Sequence, residues 1–571
     1  MDRRGAALSA PATRQRSPTP RLGIAVSLGL AAIPLAFLAV FFVLPVASII
    51  DLGLRPDGTW ELGVVGDVLG DPALRGVVWF TAWQAVVSTA LTLAVALPVS
   101  YALARFEFRG RRLLQAAIMV PFVLPTVVVA TAFLALLGPA GPVSGPLGSL
   151  FGSAPLDLRH TLTAIFIAHV FFNVSVVVRV VGGLLEQLDP RLEDAAASLG
   201  AGRARTAWEV LWPLARPAVW SAAGIVFLFT FTSFGVVLIL GGPRYATLEV
   251  EIHRQTALLL DLPVAGVLAL IQLVLVAGLL AFGARRQQSA AVQQPLTAPS
   301  GAARRPDTWP ERLFLTGSLG ALALLLGAPL ATLISRSLRT PDGWGLGWYR
   351  MLFDEQASVL SVAGIEAVEN SLRFAVVATV VAVLVGASAA VVVARGRGVV
   401  SRSFDVLLLL PLGVSAVTVG FGFLISLDTP PLDLRNSWIL VPMAQALVAV
   451  PFVVRVILPV LWSIDERLRE AAGVLGASPA RVWREVDLPL VARAIGVAAG
   501  FAFAVSLGEF GATVFIARAD TPTVPVAIVR LLGRPGPANI GQAMALSTIL
   551  MVLTTASLLA ISRLRPRAVP R

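Results

Sequence analysis

The sequence predicts an all-α polytopic membrane protein of about twelve transmembrane helices in two tandem six-helix repeats. Composition, run length and an internal repeat point to it. Of 571 residues, 57% are hydrophobic and 14% charged, with mean hydropathy +0.83. A soluble exterior takes about a quarter of the residues as charge, so lipid must cover much of this surface. Apolar runs of about 20 residues, the length that crosses a hydrocarbon core, recur from end to end. A stretch of the first half also returns in the second without a gap.

Residues 1–21 are polar and rich in Arg, Pro and Ser, and read as a disordered cytoplasmic tail. The apolar run 22–50 is too long for a signal-peptide core and has no clear small-residue cleavage site, so it reads as the first span. Five more spans are expected at 77–104, 113–137, 161–185, 216–240 and 262–283, which makes 22–284 the first repeat. Residues 285–310 carry Gln, Ala, Pro, Ser and Arg with no apolar periodicity and read as a cytoplasmic linker. The second repeat, 311–563, is expected to hold spans at 312–335, 367–394, 404–427, 437–462, 489–516 and 540–562. Residues 564–571 form a second cytoplasmic tail.

Arginine placement orients the chain. With the N-terminus inside, the arginine-rich loops 105–112, 186–215, 284–306, 394–402 and 463–488 and both termini are all cytoplasmic, as the positive-inside rule requires. The net charge of +12 is spread over these short clusters and forms no basic domain, so the bilayer is the expected partner and nucleic acid is not. Cysteine is absent, which excludes a disulfide framework and a thiolate metal site. His160, His169 and His253 are scattered, so neither a metal nor a cofactor is expected. Lysine is absent too. That excludes a GxxxxGK[ST] phosphate loop, whose lysine grips the nucleotide, and with it a Walker-type ATPase in this chain. No span carries paired carboxylates or a His/Glu cluster at catalytic spacing, so no catalytic residue is assigned and the chain reads as a transport protein, not an enzyme.

The repeat is clearest where VVRVVGGLLEQLDPRLEDAAASLGAGRARTAWEVLWPL from Val177 aligns with VVRVILPVLWSIDERLREAAGVLGASPARVWREVDLPL from Val453. About half the positions are identical, with Arg179 opposite Arg455 and, further on, Phe234 opposite Phe510. An even number of spans per half gives both halves one topology, related by an axis along the membrane normal. In each copy an acidic residue, Asp189 or Asp465, precedes a short helix with Leu192, Ala195, Ala196 and Leu199, or Leu468, Ala471, Ala472 and Leu475, at helical spacing. Gly200 and Gly476 then end the helix where a positive φ is expected. In the second copy, Ser478-Pro479 supplies the cap and first turn of a following helix.

This pattern resembles the EAA loop of ABC-importer permeases, E-A-A-x-x-x-G-x(9)-I/V-x-L-P. The matching residues are Glu193, Asp194, Ala195, Ala196, Gly200 and Pro213 in the first copy, and Glu470, Ala471, Ala472, Gly476 and Pro489 in the second. The first copy departs in placing Asp194 at the acidic position and Trp212 before the proline. Once, such a pattern suits an ordinary amphipathic hairpin under the bundle; twice, at matching places, it favours a docking element. The chain is similar to the fused permeases of the ferric-iron and thiamine branch of type I importers. FTSFGVVLILGGPRYATLEVEIHRQ looks like the thiamine type, and SLGEFGATVFIARADTPTVPVAIVRLLGRPG like an element of both. The resemblance implies two copies of a cytoplasmic ATPase subunit seated on the loops, an extracytoplasmic solute-binding protein, and residence in a bacterial cytoplasmic membrane. The competing reading is a twelve-span secondary transporter with no ATPase. The duplicated loop and the scarcity of buried charge for ion coupling speak against it.

Polar residues at membrane depth are costly and often functional. Glu509, in LGEFG near the outer end of a span, either lines the path and attracts a cation or bonds to a neighbouring loop near the interface. His169 and Asn173 share a helix face, either lining a cavity or bonding between helices. Arg179 and Arg455 read as snorkelling anchors. Glu249, Glu251 and His253 are expected in an outer loop, in solvent or against a binding protein or gate. The orientation is open to a direct test, because no native cysteine interferes. Asp433→Cys should react with a membrane-impermeant thiol reagent in intact cells, and Ser478→Cys should react only after lysis; the reverse pattern would invert the topology.

Overall fold

A computed structural model describes residues 24–564 apart from 56–57, 62, 140, 145–156, 190, 290–302, 356–358, 397–403, 406, 409, 412–413, 429 and 431. The expected tails, Leu564 aside, and the centre of the expected linker lie outside the described residues. Within them the regular structure is helical except for an antiparallel ribbon, Arg339–Thr340 with Gly343–Trp344, and an isolated bridge.

Ten described helices are long and apolar enough to cross a membrane. In the first half these are Gly29–Leu54, Pro72–Arg105, Leu162–Gln187, Ala207–Phe231 and Leu262–Ala281. In the second half they are Trp309–Leu338, Gly364–Arg395, Leu440–Ser463, Pro479–Gly508 and Pro537–Ile561. The expected third span of the first half is not one helix: Leu113–Val123 and Thr126–Leu137 meet at a 103° bend. The cause is Pro125, which has no N–H to donate and holds Leu124 in an extended conformation. In the second half, Ser415 starts the shorter helix Ala416–Ser426, its hydroxyl accepting the N–H groups of Val417 and Thr418.

The fifth span of each repeat begins before its expected start and also breaks. The first stops at Phe231 and resumes as Gly235–Leu240; the second stops at Gly508 and resumes as Thr513–Ile516. The breaks fall at corresponding places in the alignment and lead into an outer helix, Leu248–Arg254 or Val524–Leu532. The first N–H of each outer helix finds a hydroxyl on the second helix of its own repeat. Leu248 donates to Thr81 Oγ1 at 2.9 Å, and Val524 to Ser371 Oγ at 2.8 Å.

The first helix of each repeat packs on the other repeat. Phe37, Leu38 and Phe42 are buried in a cluster with Phe374, Ala378 and Phe423 of the second half, and Leu322 is buried among Val99, Leu103 and Val174 of the first. The two halves are thereby interlocked. The chain entering the second half is also pinned. Arg304 N–H donates to the Arg105 carbonyl at 3.0 Å, Glu107 N–H donates to the Arg304 carbonyl at 2.9 Å, and the Arg304 guanidinium pairs with Glu311.

Small residues set the closest approaches across the centre. A Cβ on Gly420 would lie 2.6 Å from the Ala512 carbonyl oxygen and 2.7 Å from its Cα, which are backbone atoms that cannot swing aside. Gly420→Val should therefore destabilise the bundle by about 1–3 kcal/mol, as overpacking does, and lower the melting temperature in detergent. Gly224→Ala, with no side-chain neighbour within 4 Å, is the control expected to stay near wild type.

Candidate coupling and translocation site

The repeated segment folds alike in the two halves. Its short helices, Arg191–Ser198 and Glu466–Val474, start on the expected acidic residues: Asp189 Oδ1 accepts from Arg191 N–H at 2.9 Å, and Asp465 Oδ1 from Arg467 N–H at 3.0 Å. Both end on glycine in the left-handed region, Gly200 and Gly476 each at φ 80°. The following N–H reaches back across the turn, Ala201 to the Ala196 carbonyl and Ala477 to the Ala472 carbonyl, both at 3.0 Å. This is a Schellman ending, and the conformation suits glycine because it has no Cβ. Ser478 caps the next helix through Arg481 N–H at 3.4 Å. Each following helix opens at Arg203 or Pro479 and then makes a π turn at aligned positions, Ala207–Leu211 and Trp483–Asp487, before Pro213 or Pro489.

Asp194, Ala195 and Ala471 are exposed, Ala196 is buried, and Glu193, Glu470 and Ala472 are half-buried. Leu199 and Leu475, at helical spacing with the alanines, are 89% and 88% exposed beside the glycines. Val474 stands out as well. The result is a matched pair of bare leucines at the two tips, a degree of exposure that periodicity could not show. Its only sequence signal is the leucine recurring directly before the glycine in both copies.

At the other end of the fifth helices, the two breaks meet. Phe234 and Phe510, aligned in the repeat, stack on each other with centroids 5.3 Å apart and planes 17° from parallel. They therefore lie on the local two-fold axis. His253 packs edge-on to Phe234 and to Phe515. Glu509 is buried immediately beside Phe510, not in a helix but at the break. One carboxylate oxygen accepts from Ala512 N–H at 2.7 Å and the other from Thr513 N–H at 3.1 Å, capping the turn that follows. His169 and Asn173 are buried between helices. His169 Nδ1 lies 2.8 Å from Ser88 Oγ and Nε2 2.9 Å from Ser233 Oγ, and Asn173 donates to the His169 carbonyl at 2.9 Å. Glu249 and Glu251, expected in an outer loop, are buried in the outer helix: Gln272 donates to Glu249 at 2.8 Å and Gln255 to Glu251 at 2.7 Å. Arg179 and Arg455 are both exposed. Among the described residues no group of three or more His, Asp or Glu could hold a metal ion.

Residues 94–294 match the family of binding-protein-dependent transport system inner membrane components. A putative 2-aminoethylphosphonate transport system permease protein of Salmonella typhimurium is 30% identical over 250 residues, 43% of this chain and 87% of the relative. The chain belongs to this permease family. Over longer alignments, the thiamine transport system permease protein ThiP of Brucella abortus is 29% identical across 86% of this chain and 88% of its own length. ThiP of Escherichia coli is 28% identical across 81% and 84%. The doubled architecture of this membrane-spanning permease thus extends across the whole alignment with these relatives, while the match at 30% covers about one repeat.

The two glycines give the site its sharpest test. Positive φ costs a β-branched residue about 1–2 kcal/mol, and a Cβ at either position meets no neighbour within 4 Å inside the chain. Gly476→Val should therefore leave the permease inserted in the membrane while distorting the tip that carries Leu475. Circular dichroism and expression should stay near wild type, and retention of an ATPase partner on affinity purification should fall severalfold. Gly200→Val should act in the same direction and more mildly, because Gly202 can take over the turn.

Proposed function

We propose that this permease moves thiamine, or a closely similar small cation, across a bacterial cytoplasmic membrane. The work comes from ATP hydrolysed on two copies of a separate ATPase subunit. The observation that carries the reading is the pair of matching protrusions, each a capped helix, a left-handed glycine and a bare leucine, presented at one end of a two-fold bundle. A surface that is exposed, apolar and duplicated suits two copies of one partner. Segments 193–200 and 470–476 are the coupling elements in this reading, and Pro213 and Pro489 mark the return of the chain to the membrane. The ATPases lie on the cytoplasmic side with both termini, and a solute-binding protein delivers cargo to the opposite face.

The path runs along the axis between the repeats. The stacked Phe234 and Phe510 close it in the present conformation, and Glu509, His169 and His253 lie around that closure. Because the aromatic pair belongs to the two breaks, rotating the fifth helices apart opens the seam without unfolding a span. Thiamine is favoured over ferric iron by the S-F-x-x-V-L-x-L-G-G-P run and by the relatives named thiamine permeases over most of both chains.

Purified alone, the chain should hydrolyse no ATP. Reconstituted with an ATPase partner and a thiamine-loaded binding protein, it should accumulate radiolabelled thiamine in proteoliposomes only when ATP is supplied on the ATPase side. Uptake driven by an ion gradient without nucleotide would overturn the reading in favour of a secondary transporter. Uptake of ferric iron but not thiamine under the same conditions would overturn the substrate alone.

A further inference from the structure

In the first repeat, the short helix of the protruding segment is tied to the last residue of the second helix. Arg105 Nε lies 2.7 Å from Glu193 Oε1, and the Arg105 side chain is nearly buried. Tyr101 OH donates to the other Glu193 oxygen at 3.4 Å, and Arg105 also donates to the Leu188 carbonyl at 3.3 Å. In the second repeat, the second helix again ends on an arginine, Arg395. The residue aligned with Glu193 is Arg469, however, so the same tie would set two cations against each other.

The structure resolves the conflict elsewhere in the alignment. The position of Leu211, a buried apolar residue, is taken by Asp487, which is completely buried. Its two oxygens divide the arginines. Oδ2 lies 2.5 Å from Arg395 Nη2, and Oδ1 accepts from Arg469 Nε at 2.8 Å. A leucine-to-aspartate difference in a buried site would be expensive without partners, since a lone buried carboxylate loses its hydration. Here each difference supplies the partner the other lacks. Position 469 has reversed its charge, and position 487 has gained the opposite one.

We propose that Arg469 and Asp487 are a compensating pair of positioning residues. Together they hold the second short helix on Arg395, as the single ion pair Arg105–Glu193 holds the first. The consequence is an interchange rule. A second repeat given the residues of the first at both positions, Arg469→Glu with Asp487→Leu, regains a direct carboxylate–guanidinium tie between position 469 and Arg395. Either change alone destroys the tie. Asp487→Leu leaves Arg395 and Arg469 without a carboxylate between them, and Arg469→Glu places a second carboxylate against Asp487.

The tie is readable without the ATPase. Amide hydrogen exchange of the full chain in lipid nanodiscs reports it through peptides covering 466–474, with 191–198 as the internal control. Asp487→Leu and Arg469→Glu should each speed exchange in 466–474 by roughly tenfold or more, leaving 191–198 unchanged. The double variant should return to within about threefold of wild type, a non-additivity that separated sites do not show. Should Asp487→Leu fail to accumulate, Arg469→Leu serves in its place. It keeps the Arg395–Asp487 pair and should loosen only the short helix. Unchanged exchange in the single variants, or a double variant as loose as Asp487→Leu, would overturn the proposal. The functional importance of the tie rests on the coupling role proposed above, and ATP-driven uptake tests that separately. If exchange follows the expected pattern while all variants transport at the wild-type rate, the tie stands and the coupling role of the second short helix falls.

Discussion

A helix that breaks at membrane depth exposes N–H groups for which lipid offers no acceptor, and each unpaired group costs several kcal/mol. That constraint organises the centre of this permease. Both fifth helices break, and the chain must then satisfy the outer segments from its own side chains. The second helices supply hydroxyls at Thr81 and Ser371 for the first N–H of each outer helix. Glu509 supplies both carboxylate oxygens to the turn after the second break. Ser415 does the same for the helix that packs on that turn. The breaks bring Phe234 and Phe510 together, and these acceptors hold the segments beside them.

The two repeats meet the same demand with different residues. Ser233, aligned with Glu509, does not cap; it lies against His169, which also reaches Ser88. In the second repeat the position of His169 is Gln445, also buried. The His169 network therefore belongs to one repeat and the carboxylate cap to the other, while the stacked phenylalanines belong to both. What is common is the backbone path and what differs is the side-chain chemistry supporting it. The same division appears beneath the protruding tips, where a direct Arg–Glu tie in one repeat becomes an Arg–Asp–Arg bridge in the other.

Much of this fold was legible in the sequence because it depends on local patterns repeated twice. Run lengths located the spans, the alignment located the repeated segment, and Asp189, Asp465, Gly200, Gly476 and Ser478 occupy the capping and turning roles their types imply. The sequence could not reveal features decided by tertiary contacts. Hydropathy runs straight through 232–234 and 508–511, so the fifth spans looked continuous although their backbone turns aside. Pro121 and Pro125 were the local signs of a bend in the third span, and an internal proline alone does not distinguish a kink from a break. Pro98 and Pro329 sit inside continuous helices. Glu249 looked like a solvent-facing loop residue because its donor, Gln272, lies on another helix, and Glu251 did so because the local donor Gln255 is recognisable only once this segment is known to be helical. Helical spacing grouped Leu199 and Leu475 with the alanines, but it does not foresee how far the Schellman turn leaves them exposed.

Those leucines connect the interior chemistry to the proposed function. Covering a leucine side chain is worth about 1.5–3 kcal/mol, so leaving two almost wholly bare on projecting tips is unfavourable for an isolated chain. Close packing around the glycines does not explain the conformation, since a Cβ added at either would meet no non-neighbouring atom within 4 Å. The interior instead holds the base of each tip through buried ion pairs, at the ends of the same second helices that carry Thr81 and Ser371. One rigid helix in each repeat thus spans from the tip-bearing end to the outer helix at the seam. In the proposed reading, a movement imposed on the tips would reach the stacked phenylalanines through that helix. The tips agree closely with each other while the ion pairs beneath them have diverged. This is the pattern expected if two copies of one partner constrain the outer surface and only the chain's own packing constrains the interior.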